Sequence, residues 1–258
     1  MKMRTQIIDR LKSIEQAEKI KILVAVESGS RAWGFASKDS DWDVRFLYVR
    51  PLEWYMSIDD RRDTLDYPAI GQLDFSGWDL RKALRLLRKS NPPLLEWLRS
   101  PFVYLEQSSA AQGMRDLSEH YFNPRSCIHH YLHMAAGNFR EYLRGDFVKV
   151  KKYFYVLRPV LACQWIMRTN TMAPMEFERL LATQVEDSAL RAAIDQLIAR
   201  KRNGEELDME PTIRPINDFL DERIAFFEDY VKKNVEYCTP DTEKLDLLFR
   251  DTLKEVWR

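Results

Sequence analysis

The sequence is poor in glycine and cysteine and has no long apolar run. Eight glycines in 258 residues, among many long side chains, point to a mostly helical protein and make each glycine cluster informative. Cys127, Cys163 and Cys238 are odd in number and form no CxxC pair, which argues against a disulfide scaffold or a cysteine zinc site and sets a reducing cytoplasm as the expected compartment. No apolar stretch approaches the roughly 18 residues of a membrane span. The opening MKMRTQIIDRLKSIEQ is charged throughout and has no apolar h-region, so no signal peptide is expected. Charge of one sign is also missing: 40 Lys and Arg balance 40 Asp and Glu. That argues against coating nucleic acid by bulk charge alone, while leaving room for a local basic groove.

What is present is globular: 45% hydrophobic and 31% charged residues, a size for one large domain or two ordinary ones. Ile7, Ile8, Leu11 and Ile14 predict a helix over residues 4–19, and the β-branched KILVAVE at 21–27 predicts a buried strand. A second strand is read at 41–49 (DWDVRFLYV), ended by Pro51, and a third at 71–76 (GQLDFS). Residues 51–70 read as a short helix or turn and an irregular crossing. Leu80, Ala83, Leu84 and Leu87 predict a helix over 79–90, with Ser76 and Asp79 as a capping box and Asn91-Pro92-Pro93 as its stop. From about 124 onward only helices are expected, including segments at 187–201, 214–235 and 242–256. The predicted division is a mixed α/β half over 1–115 and an α-helical half over 116–258.

The stretch with chemical content is SGSRAWGFASKDSDWDV, residues 28–44. Asp41 and Asp43 stand at i and i+2 of a predicted strand, so their carboxylates share a face and repel. A divalent cation resolves that conflict, and Mg²⁺ commonly binds through one or two carboxylates plus substrate phosphates. Gly29-Ser30 leaves the first strand and opens a helix. Glycine lets a backbone approach a ligand, and N–H groups there suit phosphates. Arg31 and Ser40 flank the two motifs. A third carboxylate is expected on a neighbouring strand to hold or deprotonate an attacking hydroxyl. Asp74 is the first choice, with Asp66 and Asp79 behind it. The competing account of Asp41 and Asp43 is a solvated turn before a strand.

These residues resemble the nucleotidyltransferase core of the DNA polymerase β superfamily over about residues 20–90. GSRAWGFASKDSDWDV, GWDLRKALRLL, NPPLLEWLRSP and KKYFYVLRPVLACQWI resemble more closely a bacterial and phage family of nucleotidyltransferases linked to RNA repair gene neighbourhoods. The resemblance implies an α+β fold: a mixed β-sheet with flanking helices, followed by an all-α domain. It implies that Gly29 and Ser30 contact nucleotide phosphates, and that Asp41 and Asp43 ligate Mg²⁺ (two ions, with Mn²⁺ as the alternative). Asp74 would complete the carboxylate set. The implied reaction transfers a nucleoside monophosphate from an NTP to an acceptor hydroxyl and releases pyrophosphate. The acceptor stays open among an RNA end, taken first, a protein hydroxyl and a small molecule. So do base preference and oligomeric state.

Lys151, Lys152, Tyr155 and Arg158 fall on one predicted helix, with Lys151, Tyr155 and Arg158 at i, i+4 and i+7. In two-domain enzymes of this kind the helical half closes over the nucleotide, so a Lys would meet phosphates and Tyr155 a base; a solvated helix face explains them equally well. Trp33 either packs its loop or faces a base, while Trp97 and Trp165 read as core. His129 and His133 have metal spacing but no third ligand nearby. Arg81, Lys82, Arg85, Arg88 and Lys89 read as a solvated face ahead of a nucleic-acid track. Two other accounts remain: a non-catalytic nucleotide-sensing or RNA-binding module on the same fold, and an interaction protein docking through its helices.

Overall fold

The computed structural model describes residues 2–233 and 240–258; Cys238 and the end of the expected 214–235 helix lie outside the described residues. In chain order the elements are α1 (Lys2–Glu18), β1 (Lys21–Glu27), α2 (Gly29–Trp33), β2 (Trp42–Val49), α3 (Leu52–Tyr55), β3 (Thr64–Asp66), β4 (Leu73–Asp79), α4 (Leu80–Arg88), α5 (Pro92–Leu98), β5 (Val103–Glu106), α6 (Ala110–Tyr121), α7 (Pro124–Tyr142), β6 (Phe147–Lys149), α8 (Tyr153–Thr169), α9 (Phe177–Gln184), α10 (Ser188–Arg202), β7 (Met209–Pro211), α11 (Arg214–Lys233) and α12 (Glu243–Val256). The fold is α+β, with one five-stranded mixed sheet and many helices. Among the described residues no helix is long and apolar enough to cross a membrane.

The described residues fall into two compact units. One is drawn from residues 2–32, 41–121 and 240–258, the other from residues 33–40 and 122–233. A single cut after residue 115 does not match them. It falls inside α6, whose Ala110, Ala111, Met114, Ser118 and Tyr121 are all buried on one face. The chain also returns to the first unit at its end, where Glu255 of α12 accepts hydrogen bonds from the amide and hydroxyl of Ser109.

The first unit is built on the sheet β3-β4-β2-β1-β5. β1 is antiparallel to β2 and β5, and β3 is antiparallel to β4, but β2 and β4 run parallel. Ile7, Leu11 and Ile14 recur at helical spacing, so α1 lays one stripe on Ile22, Val44, Phe46, Tyr48 and Phe75 of the sheet. Each such fully buried side chain contributes roughly 1.5–3 kcal/mol. Six of the seven β1 residues are buried, as an apolar run flanked by two strands should be. Gly77, opposite Phe46 on β2, leaves room for that ring: a Cβ there would stand 2.2 Å from it.

The third strand lies later than expected, at 73–79 rather than 71–76, because parallel pairing with β2 carries it on to Asp79. The expected capping box dissolves accordingly. Asp79 is itself the N-cap of α4 and accepts from the Arg81 amide at 2.8 Å, while Ser76 donates to Asp66. Asn91 does not simply stop a helix. It caps the next one, α5, with Pro92 and Pro93 in its first turn. The pattern also left β3 and β5 unread, both short.

In the second unit α7 packs along α8 and against α11. Each of these two helices buries an apolar stripe: Ile128, Tyr131, Leu132, Ala135 and Phe139 on α7, and Tyr153, Leu157, Val160 and Leu161 on α8. The unit is not helical throughout, since β6 and β7 form a two-stranded antiparallel ribbon. Trp97 is buried as expected. Trp165 is only half-buried and donates its indole N–H to Thr171.

Candidate active site

Three strand ends of the first unit converge because of how they pair. β2 and β4 are parallel, so both begin at the same end of the sheet, with Asp43 directly opposite Asp74. Adjacent strands lie about 4.8 Å apart, so two in-register side chains stand on one face as neighbours. β1 is antiparallel to β2 and therefore finishes where β2 begins, Glu27 opposite Val44. The Ser28-Gly29 turn leaves from that point, the Ser28 amide donating to the Asp43 carbonyl at 2.9 Å.

Gly29 is fixed twice over. Its φ of +61° suits glycine, and a Cβ would stand 2.0 Å from Asp43 Oδ2. The backbone thus lies directly against the Asp43 carboxylate. Ser30 and Arg31 follow on the short α2. Arg31 turns its guanidinium over the Trp42 ring at 3.8 Å and donates from Nε to the Asp41 carbonyl at 3.0 Å.

Asp41 departs from the expectation. The strand begins at Trp42, so Asp41 sits exposed just ahead of it rather than as a second strand residue beside Asp43. Its charge still reaches Asp43. Burial pushes the Asp43 carboxyl above the usual carboxylate range; Arg45 opposes this, and Asp74 and Asp41 add to it. Asp66 lies one strand further out, on β3 opposite Ser76. It is exposed, accepting from Ser76 Oγ at 2.7 Å and from Arg62 at 3.1 Å. Asp79 is fully buried at the far end of β4, where it accepts from Tyr55 at 2.7 Å.

Two residues of the cluster were not picked out from the sequence. Glu27, 1% exposed, accepts from the Asp43 amide at 3.0 Å and from the Tyr104 hydroxyl. Burial is the main cause that pushes its carboxyl up to about 7. Arg45 reaches Asp43 Oδ1 at 3.1 Å and Asp74 Oδ2 at 2.7 Å through one nitrogen, Nη2. The signal for Arg45 was available: it stands two residues after Asp43 on the same strand, the very spacing used to pair the carboxylates. Glu27 gives a weaker signal, as the charged last residue of an otherwise apolar strand.

Among the described residues no group of three or more His, Cys, Asp or Glu is arranged to hold a metal ion. The expected set of Asp41, Asp43 and Asp74 is therefore not closed into one ligand group, and His129 and His133 are two exposed positions of α7. What is assembled is a carboxylate pair. Its donors are all oxygen, and its Asp43 carboxyl is held protonation-prone by burial and by neighbouring negative charge. That chemistry fits a hard dication held by one or two carboxylates and completed by phosphate and water.

Ser40, Lys151, Lys152 and Tyr155 belong to the second unit. The Ser40 hydroxyl is engaged in its own turn, accepting from the Ser37 amide at 2.9 Å. Lys151 and Lys152 do not lie on the helix with Tyr155. They form a single 3-10 turn, Val150–Lys152, that runs into α8. The Lys152 ammonium stands 4.3 Å over the Tyr142 ring and 5.2 Å over that of Tyr155. Tyr155 is 39% exposed and meets Trp33 edge-on at 6.1 Å. Arg158, expected on the same face, is buried and lies 4.7 Å over Trp33. Trp33 thus packs its loop, also touching Phe35 at 5.7 Å.

A protein from Bacillus subtilis (strain 168), the uncharacterized protein YcgL, is 49% identical over 256 residues, covering 99% of this chain and 98% of its own. The crystal structure of a nucleotidyltransferase-like protein from Exiguobacterium sibiricum 255-15 aligns with 96% of this chain and 79% of its own, at 10% identity and a TM-score of 0.32; at that distance it adds nothing to the site. A family model, RlaP, matches residues 3–251. With that match running nearly end to end, the chain belongs to the RNA repair pathway DNA polymerase beta family, a family of nucleotidyltransferase type.

Proposed function

We propose that this chain is a Mg²⁺-dependent nucleotidyltransferase that moves a nucleoside monophosphate from an NTP to an acceptor hydroxyl, with an RNA end as the acceptor. The observation that carries this reading is the in-register pair Asp43 and Asp74, set beside a Gly29 backbone that a side chain would push away from Asp43. Asp43 and Asp41 would hold the divalent ion, Mg²⁺ or Mn²⁺, with Asp74 completing the carboxylate set. When bound, the ion supplies charge stabilisation to the phosphoryl oxygens and the leaving pyrophosphate.

The chain's own groups divide the remaining work. Main-chain N–H groups around Gly29 and Ser30 would donate to phosphate oxygens, aided by the charge of Arg31. Asp74 has one oxygen, Oδ2, engaged by Arg45. Oδ1 is therefore the atom assigned to accept the proton of the attacking hydroxyl or to orient it. Lys151 and Lys152 are proposed as phosphate contacts and Tyr155 as a base contact. The support is local: an exposed tyrosine ring with an ammonium over it. Ser40 is the least supported nucleotide contact, because its hydroxyl already closes a turn.

The test is incubation with each of the four NTPs, labelled at the α-phosphate, with Mg²⁺ and with or without total RNA. The expected result is label transferred to RNA, and none with the Asp41→Asn, Asp43→Asn double variant folded as the parent. Label on the protein or on a small molecule would reassign the acceptor. NTP binding without pyrophosphate release would favour a sensor, and full activity in the double variant would end the proposal.

A further inference from the structure

The carboxylate pair already contains a cation of its own. Arg45 Nη2 stands between Asp43 Oδ1 at 3.1 Å and Asp74 Oδ2 at 2.7 Å. Its other terminal nitrogen, Nη1, donates to the carbonyls of Val44 at 3.2 Å and Asp74 at 3.3 Å. One guanidinium therefore joins the carboxylates of two neighbouring strands and is anchored to the backbone of both. Its side chain is only 18% exposed, and a guanidinium presents its N–H donors in a fixed planar fork.

We propose that Arg45 is a positioning residue: a built-in counter-cation that holds Asp43 and Asp74 in register in the metal-free protein and lowers the pair's affinity for a divalent ion by competing for the same oxygens. The identity of that ion rests on the function proposed above; the part Arg45 plays in the metal-free protein does not.

The physical case has two halves. Without a cation, two in-register carboxylates repel, and the Arg45 guanidinium, within hydrogen-bond distance of both, is the charge placed to offset that repulsion. Removing Arg45 should therefore loosen this end of the sheet. Conversely, a guanidinium within hydrogen-bond distance of the oxygens repels an arriving dication and has to give up at least one of its contacts. Removing it leaves a more negative, unoccupied pair, which draws a dication more strongly. A residue that merely packs would give the first effect without the second. Lysine at this position keeps the charge but, with one ammonium, cannot reproduce a fork that spans two carboxylates and two carbonyls.

The experiment uses the full chain as parent, Arg45→Met and Arg45→Lys, at pH 8. Thermal unfolding is followed in EDTA and across a Mn²⁺ titration, and free Mn²⁺ is read by electron paramagnetic resonance, with and without a non-hydrolysable NTP analogue. In EDTA, Arg45→Met should melt about 3 °C or more below the parent. Mn²⁺ should then bind it at least about tenfold more tightly than the parent and restore its melting temperature. Arg45→Lys should fall between the two on both readings, which also covers the case in which Arg45→Met does not fold. A variant as stable as the parent in EDTA, or one that binds Mn²⁺ no more tightly than a parent that does bind it, overturns the proposal. Absence of Mn²⁺ binding in all three proteins overturns the competitive half together with the metal-dependent reading of the function, a result distinct from parent-like binding in the variants.

Discussion

The two units present their candidate residues by different physical means. In the first, chemistry-bearing side chains sit at strand ends, and register decides who meets whom: Asp43 faces Asp74 because β2 and β4 are parallel, and Glu27 joins them because β1 is antiparallel to β2. In the second, the candidates sit on a helix and the turn before it, and spacing decided much less. Lys151, Tyr155 and Arg158 were placed on one face by i, i+4 and i+7, yet Arg158 is buried on Trp33 while Tyr155 is exposed. Period-2 alternation in a strand leaves two choices of face, and pairing settles the neighbour. A helix face is broad, and tertiary packing sorts its members.

That contrast can be broken or sharpened by substitution, the largest effect first. Glu27 carries the strongest coupling of burial to charge in the first cluster. Its carboxyl is raised from 4.5 to about 7, so its contribution to stability is complete below pH 4.5 and is lost as the pH rises through 7. Glu27→Gln should remove that dependence. Relative to its standing at pH 4.5, the variant should gain about 3 kcal/mol on the parent by pH 8, measured by urea unfolding at the two values. An unchanged difference between variant and parent across that range would mean that strand-end burial does not govern this cluster.

Gly29→Ala comes next. It places a Cβ 2.0 Å from Asp43 Oδ2 on a backbone of positive φ, and should cost about 1–3 kcal/mol in the same unfolding assay. It should also reduce transfer activity more than that loss of folded protein explains. The smallest effect is expected in the second unit. Lys151→Ala with Lys152→Ala should raise the KM for NTP about tenfold, the equivalent of one lost charged contact of roughly 1.4 kcal/mol, with kcat and melting temperature nearly unchanged. An unchanged KM would leave these lysines as a solvated surface and make the contrast between the units complete.

Much of the first cluster was legible in the sequence, for physical reasons that also mark where legibility stopped. β1, β2 and α4 were read from apolar runs and a helical stripe, because burial imposes those periods directly. Asp74 was preferred to Asp66 as a third carboxylate, and pairing puts Asp74 opposite Asp43 and leaves Asp66 one strand away. The bounds of β4 were missed because its extent comes from pairing with β2, a long-range contact that its own letters do not encode. Asp41 is read as the first residue of a strand over 41–49, whereas the strand begins one residue later, at Trp42. Arg45 is marked by the i+2 rule, but its part comes from bridging to Asp74 on the neighbouring strand, a contact that the letters of β2 do not encode. The excursion of Trp33–Ser40 and the return of the C-terminal helix across the unit division were invisible to a reading that cut the chain once.

In the proposed function the strand-end carboxylates, and not the fold alone, carry nucleotidyl transfer. Pyrophosphate release from NTP with Mg²⁺, compared between the parent and a folded Asp43→Asn, Asp74→Asn variant, tests it most directly. The account predicts measurable release by the parent and a fall of about a thousandfold or more in the variant. Equal release by both, or NTP turnover that survives loss of both carboxylates, would contradict it.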